Sequence, residues 1–284
     1  FLSGCSARER VRDVTNEFLA GEKIAELNAK RLREISGMAS SINNAKFLWV
    51  HNDAGNKAEV YLLDQNLDLK LTCILAGIEN RDWEDIAIGP GPDSSKNYLY
   101  VGDIGDNDGE HRHKYVYRFE EPSWDGSGQQ LVISSFEKIT ISLDDGAKDT
   151  ETLLLDPRNK NLYLISKRES PVSLYEVKYP YSTTQPVEAK KLLSLPMKEI
   201  VGGDIAHDGG EIVIKNYDQI FYWKSGSGDP IQDVLKTAAR EIKYEKEPQG
   251  EAIAFAHDGV GLYTISEVKK GSKVYLYFYQ RKPD

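Results

Sequence analysis

The sequence predicts an all-β fold. Apolar runs of strand length recur along the 284 residues, and Gly, Asp, Asn and Pro residues separate them. After residue 23 no stretch has the apolar periodicity of a convincing helix. Hydrophobic residues make up 40% of the chain, which is enough to build a sizeable core and argues against disorder.

One pattern of strands occurs five times. A short apolar segment ends in a small or apolar residue, a turn and a second strand follow, and a third strand carries an apolar–aromatic pair. The first segments are 36–39, 84–87, 151–154, 203–206 and 251–254, and the second strands are 47–50, 98–101, 162–165, 212–214 and 262–265. The pairs of the third strands are 60–61, 116–117, 174–175, 220–221 and 274–275. A weaker fourth strand follows in four copies, at 69–75, 136–143, 189–195 and 239–244.

Four strands repeated at intervals of roughly fifty residues are typical of β-propeller blades. The sequence therefore predicts a single propeller over residues 24–284, built from five four-stranded blades. The last copy lacks a fourth strand, and residues 23–32 could supply it, so that an N-terminal strand closes the ring. Six blades remain an alternative, because residues 120–148 are long enough to hide extra strands.

The N-terminus predicts a lipid anchor. Residues 1–6 (FLSGCS) resemble the end of a bacterial lipoprotein signal peptide, where a peptidase cuts before a lipidated cysteine, here Cys5. The charged stretch 6–23, with Val11, Val14 and Phe18 at helical spacing, reads as a short amphipathic helix or as a spacer. We therefore expect residues 1–23 to anchor and tether an extracytoplasmic domain to a bacterial membrane, at the periplasm or the cell surface.

Charge and the second cysteine limit the partners. The formal net charge is −9 and no Lys/Arg stripe interrupts it, so we expect no nucleic-acid binding. No apolar run approaches the length needed to span a bilayer. Cys73 lies within an apolar run and is predicted to be an inert buried thiol.

In a propeller the first strand of each blade lines a central channel. Aligning the five copies predicts a ring of polar side chains at one mouth of this channel. The first column of this alignment lies three positions before the last residue of each first segment and holds Ser36, Glu84, Glu151, Gly203 and Glu251. The other follows the second strands and holds Asn52, Asp53, Asp103, Ser166, Lys167, Asn216, Ser266 and Glu267. We predict a ligand-binding set consisting of Asn52, Asp53, Glu151, Lys167, Glu251 and Glu267. The alternative is that individual acids cap backbone amides of the next blade.

The densest run of acidic residues, 81–85 followed by 102–110, predicts a binding site for a hard cation. Carboxylate and amide oxygens suit Ca²⁺, and interspersed glycines permit the tight turns that direct several oxygens inward. The predicted metal ligands are Glu84, Asp85, Asp103, Asp106 and Asn107. The spacing does not match an EF-hand, and such segments are also ordinary turn formers.

The histidines do not indicate zinc. His207 and His257 occupy the same place in two copies, between the first and second strands, and read as turn residues. His111 and His113 lie in a polar loop, and no third zinc ligand is evident. No nucleophile elbow, phosphate-binding loop or dinucleotide motif occurs, so no catalytic residue is predicted.

Several blade motifs resemble known families. Residues 82–87 (DWEDIA), 99–107 (LYVGDIGDN) and 116–119 (VYRF) look like a group of exported bacterial propeller proteins, mostly of unknown function. Residues 249–254 (QGEAIA) and 261–267 (GLYTISE) are similar to phytase-like and esterase-like propellers. The resemblance implies a secreted propeller with calcium. In phytase-like members, phosphate would bind through calcium and basic side chains. The basic side chains that could bind phosphate here are Lys167, Arg81, Arg112, Arg118 and Lys215.

Two functional hypotheses follow. The first is a surface-anchored binding or scaffold module with a cation or small polar ligand at the channel mouth and protein or glycan partners. The second is a calcium-dependent phosphoester or ester hydrolase, in which Glu84, Asp103 and Asp106 hold the ion.

Overall fold

The computed structural model describes residues 13–226 and 228–283, so the lipidation predicted at Cys5 lies outside the described residues. Within those ranges the chain forms 21 strands and one six-residue helix, and the predicted all-β class is confirmed. No helix in the described part of the chain is long and apolar enough to cross a membrane. Cys73 is fully buried, and burial raises the pKa of its thiol to about 12.

The strands form four sheets, and residues 35–75 build most of the first one. It contains β2 (Ile35–Ser40), β3 (Leu48–Asn52), β4 (Glu59–Leu63) and β5 (Leu69–Leu75), antiparallel and in sequence order. A further strand, β9 (Gln130–Ile133), adds to β5 in parallel. The long interval 120–148 therefore hides an extra strand, as anticipated, and this strand joins the first sheet.

The largest sheet has eight strands in two four-stranded halves. One half is β6 (Trp83–Pro90), β7 (Asn97–Asp103), β8 (Lys114–Glu120) and β10 (Glu137–Leu143). The other is β11 (Thr150–Leu155), β12 (Leu162–Ser166), β13 (Val172–Val177) and β14 (Val187–Leu195). A three-residue parallel pairing of β10 with β14 joins the two halves at their outer edges.

The last two sheets have four strands each. The third contains β15 (Ile200–Ile205), β16 (Glu211–Asn216), β17 (Ile220–Lys224) and β18 (Arg240–Ile242), with the helix α1 (Ile231–Lys236) between the last two strands. The fourth contains β19 (Gly250–Phe255), β20 (Gly261–Ser266), β21 (Tyr275–Gln280) and β1 (Glu22–Glu26). The N-terminal strand β1 pairs antiparallel with β21, which is the pairing predicted from the sequence.

The first strands of the five sequence copies are neighbours. β2 packs against β6, β6 against β11, β11 against β15, β15 against β19, and β19 against β2. Apolar side chains of adjacent units fill the space between them, as in the cluster that joins Leu154 to Ile212 and Phe221. This closed sequence of packed strands fits a β-propeller, because each small sheet buries its faces against its neighbours.

The described part of the charged N-terminal stretch packs on the sheets. Val14 forms a bridge to Glu241 and Phe18 a bridge to Arg281, and the chain between them bends at residues 16–17 and forms no helix. Phe18 is 6% exposed and meets the ring of Tyr222 edge-on, with centroids 5.5 Å apart. Residues 13–21 thus belong to the packed body.

Candidate functional site

A β-bulge interrupts each of the five first strands near its start. The register shifts between Ile35 and Gly37, Trp83 and Asp85, Thr150 and Thr152, Ile200 and Gly202, and Gly250 and Ala252. The extra residues are therefore Ser36, Glu84, Glu151, Val201 and Glu251. A bulge redirects a side chain out of the normal alternation. The predicted column is correct at four positions, and at the fourth copy the equivalent residue is Val201 instead of Gly203.

Backbone hydrogen bonds bring a second set of carboxylates beside the bulges. The amide of Asp53 donates to the carbonyl of Glu34 at 2.8 Å, and the amide of Lys167 donates to the carbonyl of Asp149 at 3.1 Å. In the second copy the amide of Ile104 donates to the carbonyl of Asp82, also at 3.1 Å. Asp82 and Asp149 thereby join the cluster although they precede the strands.

Four carboxylates converge on that of Glu84. Oxygens of Asp53, Asp82 and Glu84 lie within 4.8 Å of one another, and so do oxygens of Glu84, Asp149 and Glu151. Glu84 belongs to both groups. We call these five residues the acidic cluster.

The backbone at Gly105 closes one side of the acidic cluster. A Cβ atom at this position would lie 2.3 Å from both Asp82 Oδ2 and Glu84 Oε1. The absence of a side chain at Gly105 therefore allows the loop after β7 to pack directly on the two carboxylates.

Glu84 is the buried centre of the acidic cluster. It is 4% exposed, and no donor or cationic side chain of the described residues pairs with its carboxylate. Burial raises its pKa well above the usual range, and the charges of Glu151, Asp53, Asp82 and Glu251 raise it further. A buried carboxylate without a donor is costly unless a proton or a cation compensates.

Two basic side chains border the acidic cluster. Lys167 Nζ lies 2.8 Å from Glu151 Oε1, and Arg168 Nε lies 2.7 Å from Asp149 Oδ2. Burial nevertheless raises the pKa of Glu151 to about 8 against the lowering effect of Lys167. Burial likewise raises the pKa of Asp53 to about 6. Lys167 and Arg168 face five carboxylates, while Lys114 and Arg81, whose charges also act on Asp82, pair with Asp106 and Asp103, so that a surplus of negative charge remains.

The other side of the mouth is polar and hydrogen-bonded. Tyr217 Oη donates to Glu251 Oε1 at 2.9 Å, and Gln249 Nε2 donates to Glu267 Oε2 at 2.5 Å. Burial, followed by the charges of Glu251 and Asp53, raises the pKa of Glu267 to about 8. Asn52 has a different role, since its side-chain amide donates to the carbonyl of Arg31 at 2.7 Å and holds its own loop.

The structure separates most of the predicted metal ligands. The Asp85 carboxylate accepts from the amides of Ile86 at 2.9 Å and Leu153 at 3.0 Å, so it caps the neighbouring strand β11. Asp103 Oδ1 lies 3.2 Å from Arg81 Nε.

Asp106 and Asn107 are also engaged elsewhere. Asp106 Oδ2 lies 3.0 Å from Lys114 Nζ, and the side chain of Asn107 accepts from Arg168. Of the five predicted ligands, only Glu84 belongs to a carboxylate group close enough to share an ion among the described residues. Ion pairs and backbone amides already engage the side chains of the other four predicted ligands.

The mouth thus combines the predicted ligand residues Asp53, Glu151, Lys167, Glu251 and Glu267 with several that the sequence did not single out. These are Asp82, Asp149, Arg168, Tyr217 and Gln249. The signal that could have found Asp82 and Asp149 is their shared place, immediately before the first strand of consecutive copies.

Comparison with known proteins gives distant structural similarity and no family. No family model matches the sequence, and no curated protein matches it. Among solved structures, the hydrazine synthase of Kuenenia stuttgartiensis aligns with 90% of this chain and 97% of that chain, at 10% identity and a TM-score of 0.46. Similarity at this level carries no information about function.

Proposed function

We propose that the chain is a five-bladed propeller whose channel mouth binds Ca²⁺ and that it acts as a binding or scaffold module. The five blades are β2–β5 with β9, β6–β8 with β10, β11–β14, β15–β18, and β19–β21 with β1. The circular order of packing among β2, β6, β11, β15 and β19 supports this count. Assignment of β9 to the first blade removes the need for a sixth.

The observation that carries the proposal is the position of Glu84. Its buried carboxylate has no donor among the described residues, and it belongs to both groups of carboxylate oxygens that lie within 4.8 Å of one another. Oxygen atoms at such spacing suit a hard cation, and Ca²⁺ accepts the irregular geometry that carboxylates from several strands provide. An ion there would neutralise charge that Lys167 and Arg168 leave uncompensated.

The ion would serve recognition. With Ca²⁺ at the acidic cluster, Lys167, Tyr217 and Gln249 would offer polar groups to a small ligand or to a side chain of a protein or glycan partner. The resemblance of residues 1–6 to a lipoprotein signal supports an extracytoplasmic location, with a lipid on Cys5 anchoring the propeller to a bacterial membrane.

Calorimetric titration of the 284-residue chain with Ca²⁺ tests the proposal. We expect binding that Glu84→Gln abolishes and that Glu251→Gln, a matched bulge residue outside the acidic cluster, retains. Absence of Ca²⁺ binding by the wild type, or equal binding by both variants, would contradict the proposal. Ca²⁺-dependent release of product from an aryl phosphate or ester, lost in chelator, would instead favour the hydrolase hypothesis.

A further inference from the structure

The end of the propeller opposite the acidic cluster carries a repeated turn. Residues 206–209 and 256–259 have the same sequence, AHDG, and each follows the first strand of its sheet, β15 or β19. Because such strands span about 17–20 Å, these turns lie far from the acidic cluster at the strand starts. The repeat was expected to form turns, and it does.

The two turns have the same backbone structure. The amide of Gly209 donates to the carbonyl of Ala206 at 2.7 Å, and the amide of Gly259 donates to the carbonyl of Ala256 at 2.9 Å. Both glycines have a φ of +75°, a conformation that favours glycine and fixes the tight turn. The turns therefore present His207 and His257 from rigid frames.

Packing of β15 against β19 brings the two imidazoles together. Their ring centroids lie 4.4 Å apart at an interplanar angle of 71°. His207 is exposed and His257 is half-buried, so solvent and ions reach the pair. Neither ring has a hydrogen-bond partner within the described ranges.

The chemistry of the pair is that of a metal ligand. Burial lowers the pKa of His257, and the nearby His207 lowers it further, which favours the neutral imidazole that coordinates metals. Imidazole nitrogen prefers borderline transition ions, with Cu²⁺ the strongest of the divalent series, whereas carboxylate oxygen at the other mouth prefers Ca²⁺.

We propose that His207 and His257 together bind a divalent transition-metal ion of the Cu²⁺ or Ni²⁺ type. Each imidazole supplies one nitrogen after rotation about its Cβ–Cγ bond, and water completes the coordination sphere. The site is independent of the acidic cluster and does not rest on the function proposed above.

Electron paramagnetic resonance of the full chain with one equivalent of Cu²⁺ tests this site, in excess Ca²⁺ to occupy the carboxylates. We expect hyperfine splitting from two imidazole nitrogens and a loss of Cu²⁺ affinity of about tenfold or more in His207→Phe and in His257→Phe. Phenylalanine retains the ring packing, and His207→Gln, at an exposed position, provides a second variant. His111→Ala is the matched histidine control and should retain the signal.

Two outcomes would overturn the proposal. One is an oxygen-only spectrum for the wild type, which would leave the pair as ring packing alone. The other is a two-nitrogen spectrum that persists in His207→Phe and His257→Phe, which would place the ion elsewhere. Equal thermal midpoints of wild type and variants without metal would establish that the variants fold.

Discussion

Lys167 Nζ lies 2.8 Å from the Glu151 carboxylate, whereas Glu84, the other glutamate at an equivalent bulge of the acidic cluster, has no basic partner within residues 13–226 and 228–283. The difference has an energetic consequence. Ion pairing offsets part of the burial cost of Glu151, whereas Glu84 depends on a proton or a bound cation.

Glu84→Gln should stabilise the protein in chelator at pH 8. Because burial raises the pKa of Glu84 in the folded state, the folded state binds more protons than the unfolded state above pH 4.5, and stability falls as pH rises. Removing the ionisable group should restore about 1–3 kcal/mol at pH 8 and almost nothing at pH 4. Urea unfolding at both pH values measures this, and a variant that is less stable than wild type at pH 8 would contradict it.

Lys167→Met should have opposite effects on stability and on ion binding. Without the ammonium, Glu151 is a buried carboxylate without its partner, so we expect a loss of about 1–3 kcal/mol in chelator. The freed oxygen should raise Ca²⁺ affinity several-fold, measured by calorimetry. Arg158→Met, which removes an ion pair to Asp156 away from the acidic cluster, is the control and should leave the affinity unchanged.

Gly105→Ala should disrupt the acidic cluster. The new methyl group would lie 2.3 Å from oxygens of Asp82 and Glu84, and relief requires the loop or the carboxylates to move. We expect a loss of about 1–3 kcal/mol of stability together with loss of Ca²⁺ binding. Asp108→Ala, in the same loop and exposed, should change neither. Wild-type binding by Gly105→Ala would show that these oxygens are not ligands.

Phe18→Ala tests the packing of the N-terminal segment. Phe18 is 6% exposed and packs on Tyr222, so its truncation should cost about 3 kcal/mol in urea unfolding. Leu19, which is 40% exposed, provides the neighbouring control, and Leu19→Ala should cost less than about 1 kcal/mol. If Phe18→Ala cost no more unfolding free energy than Leu19→Ala, residues 13–21 would lie outside the cooperative folding unit.

Lys215 should make stability rise at alkaline pH. Burial lowers its pKa to about 8, from 10.5 in the unfolded chain, so the unfolded state binds more protons between these values. Unfolding free energy therefore increases with pH across this window, by about 3 kcal/mol from this group. Lys215→Met should lack that increase relative to wild type. If the unfolding free energies of wild type and Lys215→Met changed in parallel between pH 8 and 10.5, the lowered pKa of Lys215 would be contradicted.

The strand repeat, and the position of Glu84, Glu151 and Glu251, could be predicted from the sequence because the bulges fall at the same place in each copy. Counting back three positions from Ala206 led to Gly203 instead of Val201, because in the fourth copy the residue three positions after the bulge residue is Asp204 and not a small residue. The repeat pattern therefore locates the mouth more reliably than it locates each residue in it.

The ligand set could not be read from the sequence for a physical reason. Asp85 follows Glu84 directly, and only the hydrogen bond from Leu153, a residue 68 positions away, reveals that Asp85 caps a neighbouring strand. Asp82 and Asp149 belong to no apolar pattern, and their convergence depends on the packing of β6 against β11. Such contacts depend on how the sheets pack, which local sequence does not encode.

A crystal structure of the full chain grown with Ca²⁺ would show whether Glu84 binds the ion. We expect an ion with a Glu84 carboxylate oxygen at about 2.3–2.6 Å and further oxygens from Asp53 with Asp82, or from Asp149 with Glu151. An acidic cluster without an ion at saturating Ca²⁺, with Glu84 hydrogen-bonded as a neutral acid to a neighbouring carboxylate, would contradict it.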